Sequence, residues 1–172
     1  MKKPDLLRAR LTEAFPDEFG KDSNRLSLWI EEGHIRCHAA PGNLNYSVCY
    51  KLCVSIAGWK LPSVMIWSVL VDWLRVQQPD LLTPAKSATA IPFEADLLSA
   101  TEVDIGFDLQ LVEPVRVTKR EDGGFDMVIV SEPDPLFPDA APLLPSGPLL
   151  KSIWINDQPI GVHQLVPDDF SA

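Results

Sequence analysis

Residues 45–78 read NYSVCYKLCVSIAGWKLPSVMIWSVLVDWLRVQQ, and the period of the apolar positions changes partway along. Over 45–56 the period is two. Tyr46, Val48, Tyr50, Leu52, Val54 and Ile56 share one side of a strand, with Ser47, Cys49, Lys51, Cys53 and Ser55 opposite. That is a strand with one buried face. From Pro62 to Gln78 the period becomes helical. A polar stripe of Ser68, Asp72 and Arg75 recurs at i, i+4 and i+7, and Val64, Met65, Ile66, Trp67, Val69, Leu70, Val71, Trp73, Leu74 and Val76 surround it. A helix resting on a sheet needs an apolar stripe only a little over about 100° wide. This one has more, so a neighbouring helix or another subunit must cover the remainder.

Upstream, Pro4 opens a helix at its first turn, where a missing N–H costs nothing. Leu7, Leu11, Ala14 and Phe15 form its apolar face, and Pro16 and Gly20 close it. RLSLWIEEGHIRCHA alternates on both sides of Glu32-Gly33, which predicts a hairpin with Leu26, Leu28 and Ile30 on one arm and Ile35, Cys37 and Ala39 on the other. Downstream, IPFEADLL and VDIGFDLQLV pair across Ser99–Glu102. Val103, Ile105, Phe107, Leu109 and Leu111 point inward, and Asp104, Asp108 and Gln110 outward. VRVTKREDGGFDMVIV adds a hairpin around Asp122-Gly123-Gly124.

Six prolines then fall in residues 133–148, an extended arm that ends in SIWINDQPIGV with a turn at Asn156-Asp157. The chain therefore divides into an α+β domain at 1–132, a proline-rich linker at 133–148 and a C-terminal arm at 149–172. The expected fold is an antiparallel or mixed sheet with two helices packed on one face.

Apolar residues make up 46% of the 172, enough for a core and too many for a disordered chain. The net charge of −9 is uneven: residues 1–78 hold 10 basic and 8 acidic side chains, residues 79–172 hold 5 and 16. A general nucleic-acid binder needs the opposite sign. Cys37, Cys49 and Cys53 are odd in number, and Cys49 and Cys53 stand roughly 13 Å apart along a strand, beyond disulfide reach. This points to a reducing compartment. MKKPDLLRARL contains no apolar run of a signal peptide, and the run near Val64–Val71 is too short for a bilayer, so cytoplasmic synthesis and no membrane are expected.

Catalytic patterns are sparse. His34, Cys37 and His38 in HIRCH suggest a metal site, but Cys37 turns away from the two histidines in a strand and no fourth ligand is near in sequence. GKDS at 20–23 lacks the earlier glycine of a phosphate loop. A Cys37/His163 nucleophile pair rests on residue type alone. No cofactor is implied, and an enzyme is not expected. Glu94, Asp96, Asp104 and Asp108 read as the solvated side of a half-buried sheet, with acid–base work the other option.

Several segments in order resemble the tail completion protein R (GpR) family of contractile-tailed phages. They are KPDLLRARLTEAF, NRLSLWIEEGHI, YKLCVSIAGW, LVDWLRVQQPDLL, FEADLLSATEVDIGFDLQLVEPV and LLKSIWINDQPIG. The most specific is the W-L-R-x-x-Q-P-D-L block at Trp73–Leu81, and the resemblance runs over about residues 2–162. Residues 84–90 and 163–172 have no counterpart in it. Such genes also occur in prophages and headless, phage-tail-like bacteriocins.

The resemblance implies a structural protein of late tail assembly, made in the bacterial cytoplasm and then part of the tail. It implies a tail-terminator-like fold, a hexameric ring, and contacts with the tail tube or sheath protein and with a head connector or collar. On that reading Trp67 and Trp73 belong to a subunit interface, and so do Ile153, Trp154 and Ile155, which either add a strand to a neighbour or fold back on their own subunit. Glu94, Asp96, Asp104 and Asp108 would line a lumen that repels DNA. A monomeric binding module or assembly chaperone for tail components, docking through the Trp154 segment, is the alternative.

Overall fold

A computed structural model describes residues 1–20, 23–37, 40, 42–83, 91–131, 152–155 and 158–162. It is an α+β structure: five antiparallel strands in one sheet, with the helices on one face. The helices are α1 (Lys3–Ala14), the single turn α2 (Pro16–Phe19) and α3 (Val64–Gln77). The strands are β1 (Leu26–Cys37), β2 (Tyr46–Trp59), β3 (Phe93–Leu97), β4 (Val103–Lys119) and β5 (Phe125–Ile129). Their order is β1-β2-β4-β3, and β5 pairs with β4 on the same side as β3, farther along. A separate two-stranded sheet joins β6 (Ser152–Ile155) to β7 (Gln158–Val162). The linker expected at 133–148 lies outside the described residues.

Prolines set two of the helix ends. A residue before proline is pushed out of the α region. Phe15, before Pro16, leaves α1 at φ −130°, and Gln78, before Pro79, leaves α3 at φ −153°. Pro16 therefore does more than close α1, because its fixed φ also starts α2. That turn buries Phe19 beside Phe15 and Trp59, at ring-centroid distances of 5.8 Å (Phe19–Trp59) and 5.1 Å (Phe15–Trp59).

The hairpin predicted at Glu32-Gly33 does not form. β1 runs straight through, pairing Leu26–Glu31 with Ile56–Lys51 and His34–Cys37 with Cys49–Tyr46. Two residues, Glu32 and Gly33, oppose Tyr50 alone, and Glu32 adopts φ 52°. This is a β-bulge. It accounts for the same sequence signal that a hairpin would. Ile30 and Ile35 are five apart and would face opposite ways on a regular strand, and one extra residue restores them to one face. A second bulge lies between Ile56 and Trp59, where Gly58 takes φ +59° and donates its N–H to Asp104 Oδ1 at 2.7 Å. It carries Trp59, of the wrong parity, onto the helix-covered face, where it is fully buried.

The β3–β4 and β4–β5 hairpins form where expected, and Val103, Ile105, Phe107, Leu109 and Leu111 lie on the inner face. The core gathers Leu7, Leu11 and Phe15 of α1, Leu52, Val54 and Ile56 of β2, Ile66, Val69 and Leu70 of α3, and Phe107 and Leu109 of β4. The surplus apolar surface of α3 meets α1 on one flank. Trp73 is buried, and the Asp72 carboxylate, part of the polar stripe, is also buried and lies 3.5 Å from Arg10 of α1. Of the α3 residues, Val71 is the exposed large apolar one.

Candidate functional site

The inner face of the sheet is longer than the helices that cover it. Cross-strand pairing places residues in rows on that face, and exposure rises along them. The row of Leu26, Ile56 and Ile105 is buried. So are Tyr50 and Leu111. One row on, Ile35 of β1 is 63% exposed beside half-buried Val48. The next row joins Cys37, Tyr46, Val115 and Ile129, and beyond it Val117 meets Met127 and Lys119 meets Phe125. Met127 is 66% and Phe125 48% exposed. Apolar side chains thus continue past the last helix cover, at a sheet end built from the second halves of β1 and β4 and from β5.

A second uncovered strip lies along β3. Phe93 and Leu97 share the inner face and are 60% and 84% exposed. Half-buried Trp67 of α3 packs against this strip, 5.1 Å from Phe93 and 5.5 Å from Phe107 between ring centroids. The two helix tryptophans therefore differ: Trp67 borders open surface, whereas Trp73 belongs to the subunit's own core. The side chains of Ile153, Trp154 and Ile155 lie outside the described residues, though their backbone forms β6.

Between the covered and uncovered parts sits a buried polar cluster that periodicity does not reveal. Glu113 of β4 is of inward parity among apolar neighbours and is 1% exposed. Its Oε1 accepts from the backbone N–H of Lys3 at 2.7 Å, the Lys2 N–H at 2.9 Å and the Tyr50 hydroxyl at 2.7 Å. A carboxylate at a helix N-terminus satisfies donors that the helix cannot. The Lys3 ammonium donates to Gln78 Oε1 and to the Val112 carbonyl, both at 2.7 Å. The cluster ties the start of α1 to β4 and to the end of α3. Burial and the Glu113 carboxylate push the Tyr50 hydroxyl pKa well above its ordinary value. The signal in sequence is an acidic residue in register with the inward series 103–111, one step past its end.

The outer face is polar. Lys51 lies 2.9 Å from Glu31, 3.4 Å from Glu32 and 3.9 Å from Asp108. Hydrogen bonds from Lys51 and from the Trp29 indole hold the Glu31 carboxyl down at about 2, and burial, Asp108 and Glu31 push the Cys53 thiol up to about 12. The four acidic residues singled out by sequence share this face but not one role. Glu94 and Asp96 are exposed, Asp104 anchors the Gly58 bulge, and Asp108 borders Lys51.

Among the described residues no group of three or more His, Cys, Asp or Glu is placed to hold a metal. His34 and Cys37 lie on opposite faces of β1, and His38 and His163 lie outside the described residues. No described helix is long and apolar enough to cross a membrane.

No curated protein and no solved structure matches the chain. A family model, the P2 phage tail completion protein R (GpR), matches residues 1–135, which include α1 to α3, all five strands of the main sheet and the Glu113 cluster. The W-L-R-x-x-Q-P-D-L block and both sheet hairpins fall inside the match, and LLKSIWINDQPIG lies beyond it. With more than three quarters of its length covered by that match, the chain belongs to the phage tail completion protein R family.

Proposed function

We propose that the protein closes the head-proximal end of a contractile tail, of a phage or of a headless tail-like bacteriocin. It stops growth of the tube or sheath and presents the surface to which a head connector or collar attaches. An array built from identical head-to-tail contacts ends when a subunit offers one matching face and one different face, and a closed ring does that. The reading takes the protein as such a ring, hexameric by kinship with tail terminators.

The observation that carries the ring is the apolar surface one subunit leaves open. Phe125, Met127 and Ile129 on β5 and Phe93 and Leu97 on β3 lie on the inner face beyond the helices. Exposed apolar patches of this kind mark protein contacts. Trp67 enters the interface at the β3 strip, and the contribution first assigned to Trp73 passes to residues with accessible surface. Glu94, Asp96 and Asp108, with a second half of the chain bearing 16 acidic and 5 basic residues, suit a lumen that lets DNA slide without sticking.

Electron microscopy of particles assembled without the protein tests the role. Tails of uncontrolled length, or tails that never join a head or collar, are expected. Normal tails of normal length would end the reading.

A further inference from the structure

Among the described residues the main sheet has three strand edges without a pairing strand, at β1, β3 and β5, and they are not equally protected. Natural sheets blunt edges with charges, prolines and bulges. β1 carries a bulge at Glu32-Gly33 and the charges of Glu31, Glu32 and Arg36. β3 follows Pro92 and carries Glu94 and Asp96. β5 reads FDMVI, with no lysine, proline or bulge, and its one charge, Asp126, is held by Arg120 at 3.2 Å.

The direction of the β5 backbone follows from its ladder. Val130 donates to the Pro114 carbonyl and Arg120 to the Gly124 carbonyl, so Pro114/Val130, Arg116/Val128, Thr118/Asp126 and Arg120/Gly124 are the hydrogen-bonded parity. The N–H and C=O groups of Phe125, Met127 and Ile129 therefore point away from β4, to the open edge. Val117, of the other parity, agrees: its N–H turns from β5 and donates to Asn45 Oδ1 at 2.8 Å. β5 thus offers three outward donor–acceptor pairs flanked by exposed apolar side chains, which is what an added strand needs.

We propose that this edge receives β6, Ser152–Ile155, from a second copy of the chain. The proposal deepens the ring reading and rests on it. A two-stranded sheet such as β6–β7 is marginal alone and gains from a third strand. A hairpin partner of β5 within the same subunit is most commonly joined by a turn of roughly two to five residues. Instead 22 residues, 130–151, separate Ile129 from Ser152, six of them proline. An extended chain reaches at most about 3.3–3.6 Å per residue, so a connection of this length can reach beyond its own subunit. That reach is what delivery of β6 to a neighbouring copy requires.

Cross-linking decides between donors. In a Cys37→Ser background, two variants are made separately, Met127→Cys and Ile153→Cys, then mixed and treated with a short bis-maleimide. A cross-linked dimer in the mixture, absent from either variant alone, is expected. With both cysteines placed on one chain, cross-linking confined to single chains and independent of concentration would overturn the proposal in favour of a strand kept at home. Met127→Pro provides a second readout. It removes an outward N–H without breaking the β4–β5 ladder, so it should weaken self-association about tenfold or more while the thermal transition stays in place. If that variant associates like the native chain and no cross-link forms, the edge assignment fails and the ring stands. If the native chain never self-associates, with or without tail tubes, both fail.

Discussion

Glu113 is a carboxylate inside the subunit that meets backbone N–H groups and a hydroxyl, all of them donors. Glu113→Gln turns one acceptor into a donor facing donors, which should cost about 1–3 kcal/mol in urea denaturation. Tyr50→Phe removes one partner cleanly and should cost less, about 0.5–1.5 kcal/mol. Equal or reversed losses would mean that the cluster does not hold α1. The thiols give a second residue-scale test. Cys37 is exposed, and Cys49 and Cys53 are buried. One thiol per chain should react quickly with a disulfide reagent at pH 8, and the other two only on unfolding. With the Cys53 thiol raised to about 12, its contribution to stability is present below the unfolded value near 9 and is lost as pH climbs toward 12. Glu31 runs the other way. Held at about 2 against an ordinary 4.5, its contribution is present above pH 4.5 and lost as pH falls toward 2, and salt should shrink it, because the pair with Lys51 is at the surface.

At the scale of elements, the β1 bulge and the α3 helix carry the most information. Glu32 is a non-glycine residue at φ 52°. Left-handed backbone costs such a residue roughly 1–2 kcal/mol, partly offset in a comparison with glycine by glycine's greater entropy loss. Glu32→Gly should therefore raise stability by about 0.5–1 kcal/mol, seen as a higher denaturation midpoint at unchanged slope. A hairpin and a bulge both explain apolar alternation that changes phase at Glu32-Gly33. What separates them is whether β2 can pair with both halves of β1, and that is a contact between distant residues. On α3, Trp73→Ala should cost about 3–5 kcal/mol of monomer stability, as for a buried aromatic. Trp67→Ala should cost less and weaken self-association more, since Trp67 borders the open β3 strip. If both variants lose monomer stability equally with association intact, Trp67 is core and the β3 strip is not an interface.

For the whole molecule, the ring reading sets an expectation for light scattering: a species near six times 19.1 kDa at high concentration or in the presence of tubes. Removing residues 149–172 should lower assembly and leave the thermal transition of the main domain where it was. Loss of folding on that truncation would instead make the arm part of the subunit's own core. The family match ends at residue 135, and β6 and β7 pair with each other in a two-stranded sheet.

Local periodicity alone determined the α+β class, the buried stripes of α1 and α3, the inward faces of β2 and β4, and the two later hairpins. Each depends on side chains a few residues apart, whose spacing fixes which way they point. Tertiary structure decided that β1 is one bulged strand, that α1 covers the flank of α3, that Glu113 serves the N-terminus of α1, and that the sheet outruns its helices at β5. Those outcomes depend on which distant segments meet, and hydrogen-bond pairing and helix length, not the alternation of apolar residues, govern that.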